Sequence, residues 1–296
     1  MDYKKLINKA RKLRQDTFLT FIKKGEAHLG GSFSMIETLL TLYEVIMKKD
    51  DKFILSKAHA SFPLCLLLKE KGLKPQLTTH LEIDAKNGIH CTTGSLGHGL
   101  PIATGMAFAR KQQKILGKVY VMISDGECQE GTTWESLLIG SKRKLDNLVV
   151  LVDYNKIQAL SRLKDALPLG DISTKFKAFN WDCIKVKDGH SFKSLIPSFK
   201  RKNNTITLYH NYEKHSSIGD DALYEENNSW DGVEWTVNFK PDPDGGIHWS
   251  GKAPGAFNGT GDTYTEHFRI PTSNWRITYS GISALYLYET KTKQYV

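Results

Sequence analysis

Hydrophobic and polar positions in the first two thirds of the chain follow two alternating periods. Apolar residues spaced three or four positions apart predict helices over residues 2–24, 34–49, 63–71 and 99–116. Short apolar runs predict strands over 118–124 and 147–154, with a helix over 132–145 between them. The segments DISTKFKAFN, WDCIKVK and HSFKSLIPSFKRK continue this alternation. The pattern predicts an α/β fold with a doubly wound parallel sheet.

The character of the sequence changes at about residue 204. Four of the six tryptophans follow that point, and segments such as GVEWTVNF and SNWRITYS lie between turn sequences such as PDPDGG and NGTGDT. We therefore predict an α/β domain over residues 1–203 and a β-rich accessory segment of unknown role over 204–296. Its aromatic residues are read first as core, with a sugar-binding platform as the alternative.

Charge and composition exclude several classes of protein. The formal net charge is +9, but the basic residues lie along ordinary amphipathic helices without an aromatic-interleaved RNA motif, so no nucleic-acid partner is expected. No apolar run reaches the roughly 18 residues of a membrane helix, and the charged N-terminus lacks the apolar core of a secretory signal. We expect a cytoplasmic protein without a membrane partner. The four cysteines lie far apart, which favours neither a disulfide framework nor a zinc site.

The strongest chemical signal is the tetrapeptide Ser124-Asp125-Gly126-Glu127 at the end of a predicted strand. Asn155 ends the next predicted strand, so one crossover unit separates Asp125 from Asn155. Ligands of parallel sheets bind at the carboxyl ends of the strands. Asp125, Asn155 and the carbonyl of Ile157 therefore offer hard oxygen ligands for Mg²⁺, completed by phosphate and water oxygens. Asp125-Gly126 alone, or Tyr154-Asn155 alone, would be read as a turn at the end of a strand. The spacing of the two across one crossover unit favours a metal site.

Four ordered segments resemble the N-terminal signatures of transketolases. They are AHLGGSFSMIETLLTLYE, ILSKAHASFPL, CTTGSLGHGLPIATGMAFA, and ISDGECQEGTTWESLL followed by VDYNKIQ. The resemblance covers about residues 20–203 and implies the thiamine diphosphate-binding fold with thiamine diphosphate and Mg²⁺ as cofactors. Where the family has the first glycine of its diphosphate motif, this chain has Ser124. We expect the chain to bind the cofactor nevertheless, because serine adds only a hydroxyl group.

The resemblance also implies roles for individual residues. His28, His59 and His80 match histidines that line the cofactor and substrate channel, where imidazoles orient hydroxyls and move protons. Gly126 lets the backbone approach the diphosphate. Gly94, Leu96 and Gly97 match cofactor-binding positions on the aminopyrimidine side. Glu130 and Glu135 match acidic residues at the family's subunit interface that link the two cofactors, and the resemblance gives Glu130 a catalytic role with the three histidines.

The activity implied is transfer of a two-carbon ketol unit from one sugar or sugar phosphate to another. The family's activating glutamate lies on a pyrimidine-binding domain, and nothing after residue 202 resembles that domain. We therefore expect the N-terminal subunit of a split transketolase, with a separate pyrimidine-domain partner and a dimer of such pairs. The alternatives are another thiamine diphosphate component, like deoxyxylulose phosphate synthase or a 2-oxoacid dehydrogenase, and a non-catalytic sugar-binding or scaffold protein.

Overall fold

The structure is a computed structural model that describes residues 2–24, 28–156, 158 and 162–200, together with the backbone of strand segments after residue 204. Its helices are α1 Tyr3–Lys24, α2 Leu29–Phe33, α3 Ile36–Thr41, α4 Phe62–Glu70, α5 Gly99–Gln112, α6 Gly131–Lys142, α7 Leu163–Ala166, α8 Ile172–Ala178 and α9 Phe192–Phe199. The first five strands are β1 Lys52–Leu55, β2 Val119–Ser124, β3 Leu148–Tyr154, β4 Cys183–Val186 and β5 Thr205–Tyr209.

These five strands form one parallel sheet in the order β1-β2-β3-β5-β4. The register of the central pair runs from Val119 opposite Leu148 to Ser124 opposite Asp153. Because parallel strands end at the same edge, the residues that follow β2 and β3 emerge side by side. The residues that follow β1 reach the same edge.

Each face of the sheet carries its own hydrophobic core. On one face, Phe53, Met122 and Leu151 pack with residues of α1, α3, α4 and α9. On the other, Ile54, Val121 and Val150 pack with residues of α5, α6 and α8. A parallel sheet covered on both faces requires nearly continuous apolar strands, as LVVLV at the start of β3 shows. This confirms the predicted α/β doubly wound class.

Several element boundaries differ from the prediction for identifiable reasons. The segment 52–55 forms β1, which was not predicted because four residues are too few to show a period. The predicted helix over 34–49 is divided, since α3 passes at Leu42–Ile46 into a wider π-helical turn. The predicted helix over 99–116 ends at Gln112, because Lys114 and Gly117 adopt positive φ angles of 56° and 94°. No helix in the described ranges is both long and apolar enough to cross a membrane.

The strands after β5 pair separately from the parallel sheet. Four of them form a sheet in the order β8-β7-β6-β9, and two more form an antiparallel pair; in chain order they are β6 Thr236–Pro241, β7 Ile247–Lys252, β8 Asn258–Thr260, β9 Arg276–Tyr279, β10 Tyr288–Glu289 and β11 Gln294–Tyr295. The segment is therefore β-rich, as predicted. Strand β5, although it follows residue 203, pairs with β3 and β4 inside the parallel sheet.

A buried ionic cluster joins α1 and α3 to the loop that follows β4. Glu37 is 4% exposed, and its carboxylate accepts hydrogen bonds from Arg14 at 2.5 Å and His190 at 3.0 Å. Burial alone would raise the pKa of Glu37. The charges of Arg14 and His190 overcome that effect and hold the pKa at about 2. The cluster therefore contributes to stability through a carboxylate that must stay ionised.

We expect Glu37→Gln to destabilise the protein by roughly 3 kcal/mol at pH 7, because Arg14 would keep a partly buried charge without its counterion. The contribution of Glu37 should be complete above its unfolded pKa near 4.5 and be lost as the pH falls toward 2. Urea unfolding at pH 7, 5, 4 and 3 measures this. The variant and parent should converge in acid, while Glu82→Gln, at an exposed position, should match the parent throughout. A constant difference at every pH would contradict this assignment.

Candidate active site

The carboxyl edge of the sheet brings the ends of β2 and β3 together, as the sequence predicted. The backbone N–H of Asp125 donates to the carbonyl of Asp153 at 3.1 Å. In return, the N–H of Lys156 donates to Asp125 Oδ2 at 2.6 Å. Asn155 lies directly between these two contacts along the chain, half-buried, immediately after β3. The predicted third ligand, Ile157, lies outside the described residues.

The buried carboxyl group of Asp125 has too little positive charge around it to compensate fully for its ionised form. It is 2% exposed, and burial together with the nearby carboxylate of Asp153 raises its pKa to about 7. Hydrogen bonds from the N–H groups of Lys156 and Gly126 oppose the rise without cancelling it. A divalent cation beside Asp125 would supply the missing positive charge, so the donor set fits Mg²⁺.

Gly126 opens the short 3₁₀ turn Gly126–Gln129 beside this carboxylate. Its bare Cα faces the side chain of Gln158, and an added Cβ would lie 3.2 Å from Gln158 Nε2. A glycine at this place keeps the backbone open to a bulky anionic group, as glycines do in phosphate-binding turns. The turn therefore fits a diphosphate held next to the metal position.

Beneath the edge lies a buried ion pair between Lys57 and Asp153. Lys57 is 1% and Asp153 0% exposed, and the ammonium donates directly to Asp153 Oδ2. Ser34, between α2 and α3, donates to the same oxygen at 2.5 Å and accepts from Lys57 Nζ at 3.2 Å. The pair thereby ties the end of β1, the end of β3 and the α2–α3 junction to one point.

Two of the three predicted histidines, His28 and His59, lie near this positive charge. The rings of His28 and His59 meet edge to face with centroids 5.0 Å apart. The backbone N–H of His28 also donates to the backbone carbonyl of His59 at 3.3 Å. Burial and the charge of Lys57 lower the pKa of His59 to about 3 and also lower that of His28. The His80 charge adds to both shifts. His28 and His59 are therefore neutral imidazoles near pH 7, and the unprotonated nitrogen of each can accept a hydrogen bond.

The glycine-rich turn before α5 contacts two of the predicted side chains. An added Cβ on Gly94 would lie 2.5 Å from Cδ2 of His80, so this ring packs directly on the turn. Gly97 has a φ of 78°, and a Cβ there would lie 2.6 Å from Cβ of Glu130. The hydroxyl of Thr132 donates to the Gly97 carbonyl at 2.8 Å, joining the starts of α5 and α6. Leu96 is 42% exposed, and Glu130 and Glu135 also face outward.

A buried carboxylate that the sequence did not single out, Glu127, connects the turns. It is 0% exposed and accepts from the hydroxyl of Ser56, from the N–H of Gly97 at 3.1 Å and from the N–H of Ser124 at 2.8 Å. The hydroxyl of Ser124 also donates to it, at 3.3 Å. Ser124, which stands where the family usually has a glycine, is therefore part of the hydrogen-bond network of Glu127.

Comparison with known proteins identifies the family of the α/β part. Residues 3–206 match the family described as transketolase, thiamine diphosphate binding domain. The chain belongs to the transketolase family. It is 33% identical over 217 residues to the 6-deoxy-6-sulfo-D-fructose transketolase subunit SqwG of a Clostridium species, covering 66% of this chain and 78% of that protein. It is 32% identical over 225 residues to an apulose-4-phosphate transketolase subunit of Phocaeicola vulgatus, covering 69% of this chain and 79% of that protein.

The solved transketolases share the fold of the α/β part. The transketolase of Campylobacter jejuni superposes with a TM-score of 0.63 at 22% identity, over 70% of this chain and 38% of that one. The chain thus spans just over a third of a single-chain transketolase and more than three quarters of the relatives named as subunits.

We expect His59 to make the folded protein less stable as the pH falls. The folded pKa is near 3 and the ordinary value is 6.5, so between these limits the unfolded chain binds a proton that the folded chain does not. Stability should therefore be full above pH 6.5 and fall by up to about 1.4 kcal/mol per pH unit below it. His59→Gln should flatten the pH dependence of the urea midpoint between pH 7 and 4, and His98→Gln, an exposed change, should leave it intact. An unchanged slope in the His59 variant would exclude this role.

Proposed function

We propose that the chain is the N-terminal subunit of a split transketolase that moves a two-carbon ketol unit between sugars. The observation that carries the proposal is the buried carboxyl of Asp125 beside the open turn at Gly126, on the sheet edge where Asn155 also emerges. The family membership of residues 3–206 supports the same assignment. The pyrimidine-binding half would come from a separate polypeptide.

Thiamine diphosphate and Mg²⁺ are the proposed cofactors. Asp125 and Asn155 would hold the metal, with the carbonyl of Ile157 as a third oxygen ligand expected from the sequence. Gly126 would admit the diphosphate, and Gly94, Leu96 and Gly97 would border the aminopyrimidine side. When bound, thiamine diphosphate supplies the carbon nucleophile that cleaves the bond next to a ketose carbonyl.

The histidines are proposed to handle the sugar. His28 and His59 are held neutral by burial and by Lys57, so either can accept a hydrogen bond from a sugar hydroxyl. His80 is exposed and packs against the glycine-rich turn at Gly94, where it can meet a substrate that enters from solvent. Together these rings would orient hydroxyls next to the reacting carbon while the ion pair beneath them stays fixed.

The substrate is proposed to be an anionic sugar, such as a sugar phosphate. The two subunit relatives are named for 6-deoxy-6-sulfo-D-fructose and for apulose 4-phosphate, which both carry a charged group. This chain has a formal net charge of +9, which favours encounter with such substrates.

The proposed partner surface is the outer side of α5 and α6. Ile102 on α5 is 45% exposed, and Leu138 and Ile139 on α6 are 57% and 53% exposed. Exposed apolar groups on two packed helices are typical of protein interfaces. Glu130 and Glu135 lie at the start and along the same exposed side of α6, and we propose that this surface meets the partner protein in a dimer of such pairs.

The division of the chain into an α/β domain and an accessory segment also stays a proposal. The separate pairing of the strands from β6 onward supports it, and the place of β5 in the parallel sheet favours a junction after β5. We further propose a cytoplasmic location, as expected for an enzyme of sugar phosphates.

Asp125→Asn should abolish Mg²⁺-dependent binding of thiamine diphosphate, with a loss of at least about a hundredfold in affinity, because an amide cannot replace a metal-binding carboxylate. Titration calorimetry with and without Mg²⁺ measures this. The metal-free variant should be at least as stable as the parent, since it lacks the repulsion from Asp153 that raises the pKa of Asp125. Asp146→Asn, an exposed change on the opposite edge, serves as the control. Undiminished affinity in the Asp125 variant would refute the metal assignment.

The chain alone should show little ketol transfer, and a pyrimidine-domain subunit should restore it. The physical reason is the missing acid-base group on that domain, since such a group is typically worth about 10² to 10⁴ in rate. The measurement is a ketose-plus-aldose assay with saturating Mg²⁺ and cofactor, run with and without the partner.

Leu138→Asp should weaken this reconstitution by placing a charge on the proposed partner surface. Leu116→Asp is the matched control, because Leu116 is 77% exposed and lies at the opposite edge of the sheet, just before β2. Full turnover by the isolated chain would overturn the split-subunit proposal. Equal effects of the two leucine changes would overturn the assignment of the surface.

A further inference from the structure

The loop that follows β3 is held against the Asp125–Gly126 turn. The N–H of Lys156 donates to Asp125 Oδ2 at 2.6 Å, which fixes the loop two residues before Gln158. The side chain of Gln158 then lies over Gly126, where an added Cβ would be 3.2 Å from Nε2 and 3.6 Å from Cδ. The amide group therefore lies next to the space that Gly126 leaves open.

The amide nitrogen of Gln158 is buried from solvent and has no hydrogen-bond partner among the described parts of the chain. An amide nitrogen carries two N–H donors. Leaving a buried donor unpaired costs about 1–3 kcal/mol, so such groups are rare and call for an explanation. The position of this nitrogen beside the Asp125–Gly126 turn supplies an explanation, because a hydrogen-bond acceptor on a bound ligand would satisfy the donor.

The surroundings select the kind of acceptor. Asp125 and Asp153 supply negative charge that a metal would balance, so an acceptor here must be compatible with a bound cation. Phosphate oxygens meet this condition, since they bridge Mg²⁺ and accept hydrogen bonds from neutral donors at the same time. A neutral amide can contact such an oxygen without competing with Asp125 for the metal.

We propose that Gln158 Nε2 donates a hydrogen bond to a phosphate oxygen of the cofactor's diphosphate, held against Gly126. This inference rests on the proposed function and adds to it a diphosphate ligand that the sequence motifs did not single out.

The test compares the full-length parent with Gln158→Leu, Gln158→Asn and Gln158→Glu, using thiamine diphosphate at saturating Mg²⁺ in titration calorimetry. The Leu variant and the shorter Asn variant should bind about ten- to a hundredfold more weakly, as expected for a lost hydrogen bond to a charged group. The Glu variant should bind more weakly still, because its carboxylate repels the diphosphate. Thiamine without phosphates should distinguish none of them from the parent.

Thermal unfolding without ligand separates this role from a structural one. The Leu variant should unfold no earlier than the parent, because it removes an unpaired buried donor, and Gln113→Leu at the exposed end of α5 should match the parent in both measurements. Parent-like affinity in the Leu variant, or tighter binding in the Glu variant, would overturn the inference and leave the proposed function standing. A parent chain without Mg²⁺-dependent binding of thiamine diphosphate would overturn both.

Discussion

Two opposite charges, on Lys57 and Asp153, are buried together under the carboxyl edge of the sheet, where neither would be tolerated alone. Removing water from either group costs several kcal/mol, so each needs the other at close range. This requirement fixes the end of β1 against the end of β3 and brings the α2–α3 junction to the same place through Ser34. Together with burial, the larger cause, the pair also sets the local field, because the ammonium of Lys57 helps to keep His59 neutral and Asp153 helps to make the ionised Asp125 costly. The pair thus affects both the proposed metal position and the histidines.

The sequence predicted the fold class and the side-by-side ends of β2 and β3, because both depend on local signals. Apolar runs such as that of β3 report burial on two faces, and a polar tetrapeptide at a strand end reports the functional edge. The contacts of Glu127 were not predictable in this way, since they join residues 56, 97 and 124 that only the fold brings together. For the ion pair, by contrast, the sequence holds one signal. Asp153 lies in an otherwise apolar strand, and a buried carboxylate requires a cation nearby. Nothing local to Lys57 marks it as that cation, because its neighbours in the chain do not reveal that it is buried.

An active site shared between two chains would require a compromise between rigid and open parts, and the structure has both. The parts that fit phosphate and metal are buried and rigidly hydrogen-bonded, whereas Leu96, Glu130 and the outer sides of α5 and α6 remain exposed. Thr132 and Gly97 couple the two regions, because their hydrogen bond joins the glycine-rich turn to the start of α6. Docking of a partner on α6 would therefore be felt at the turn that borders the proposed cofactor position.

The insertion of β5 between β3 and β4 has a consequence for synthesis on the ribosome. β4 leaves the ribosome first, yet its neighbour in the parallel sheet is β5, so it has no strand to pair with until residues 205–209 have emerged. At typical elongation rates this interval lasts roughly one to five seconds. During this interval, the edge of β3 that later pairs with β5 exposes unpaired backbone N–H and C=O groups, which can pair with a strand of another chain. A nascent chain that stalls at this point would leave the edge of β3 open to aggregation, so residues 205–209 are needed to complete the parallel sheet.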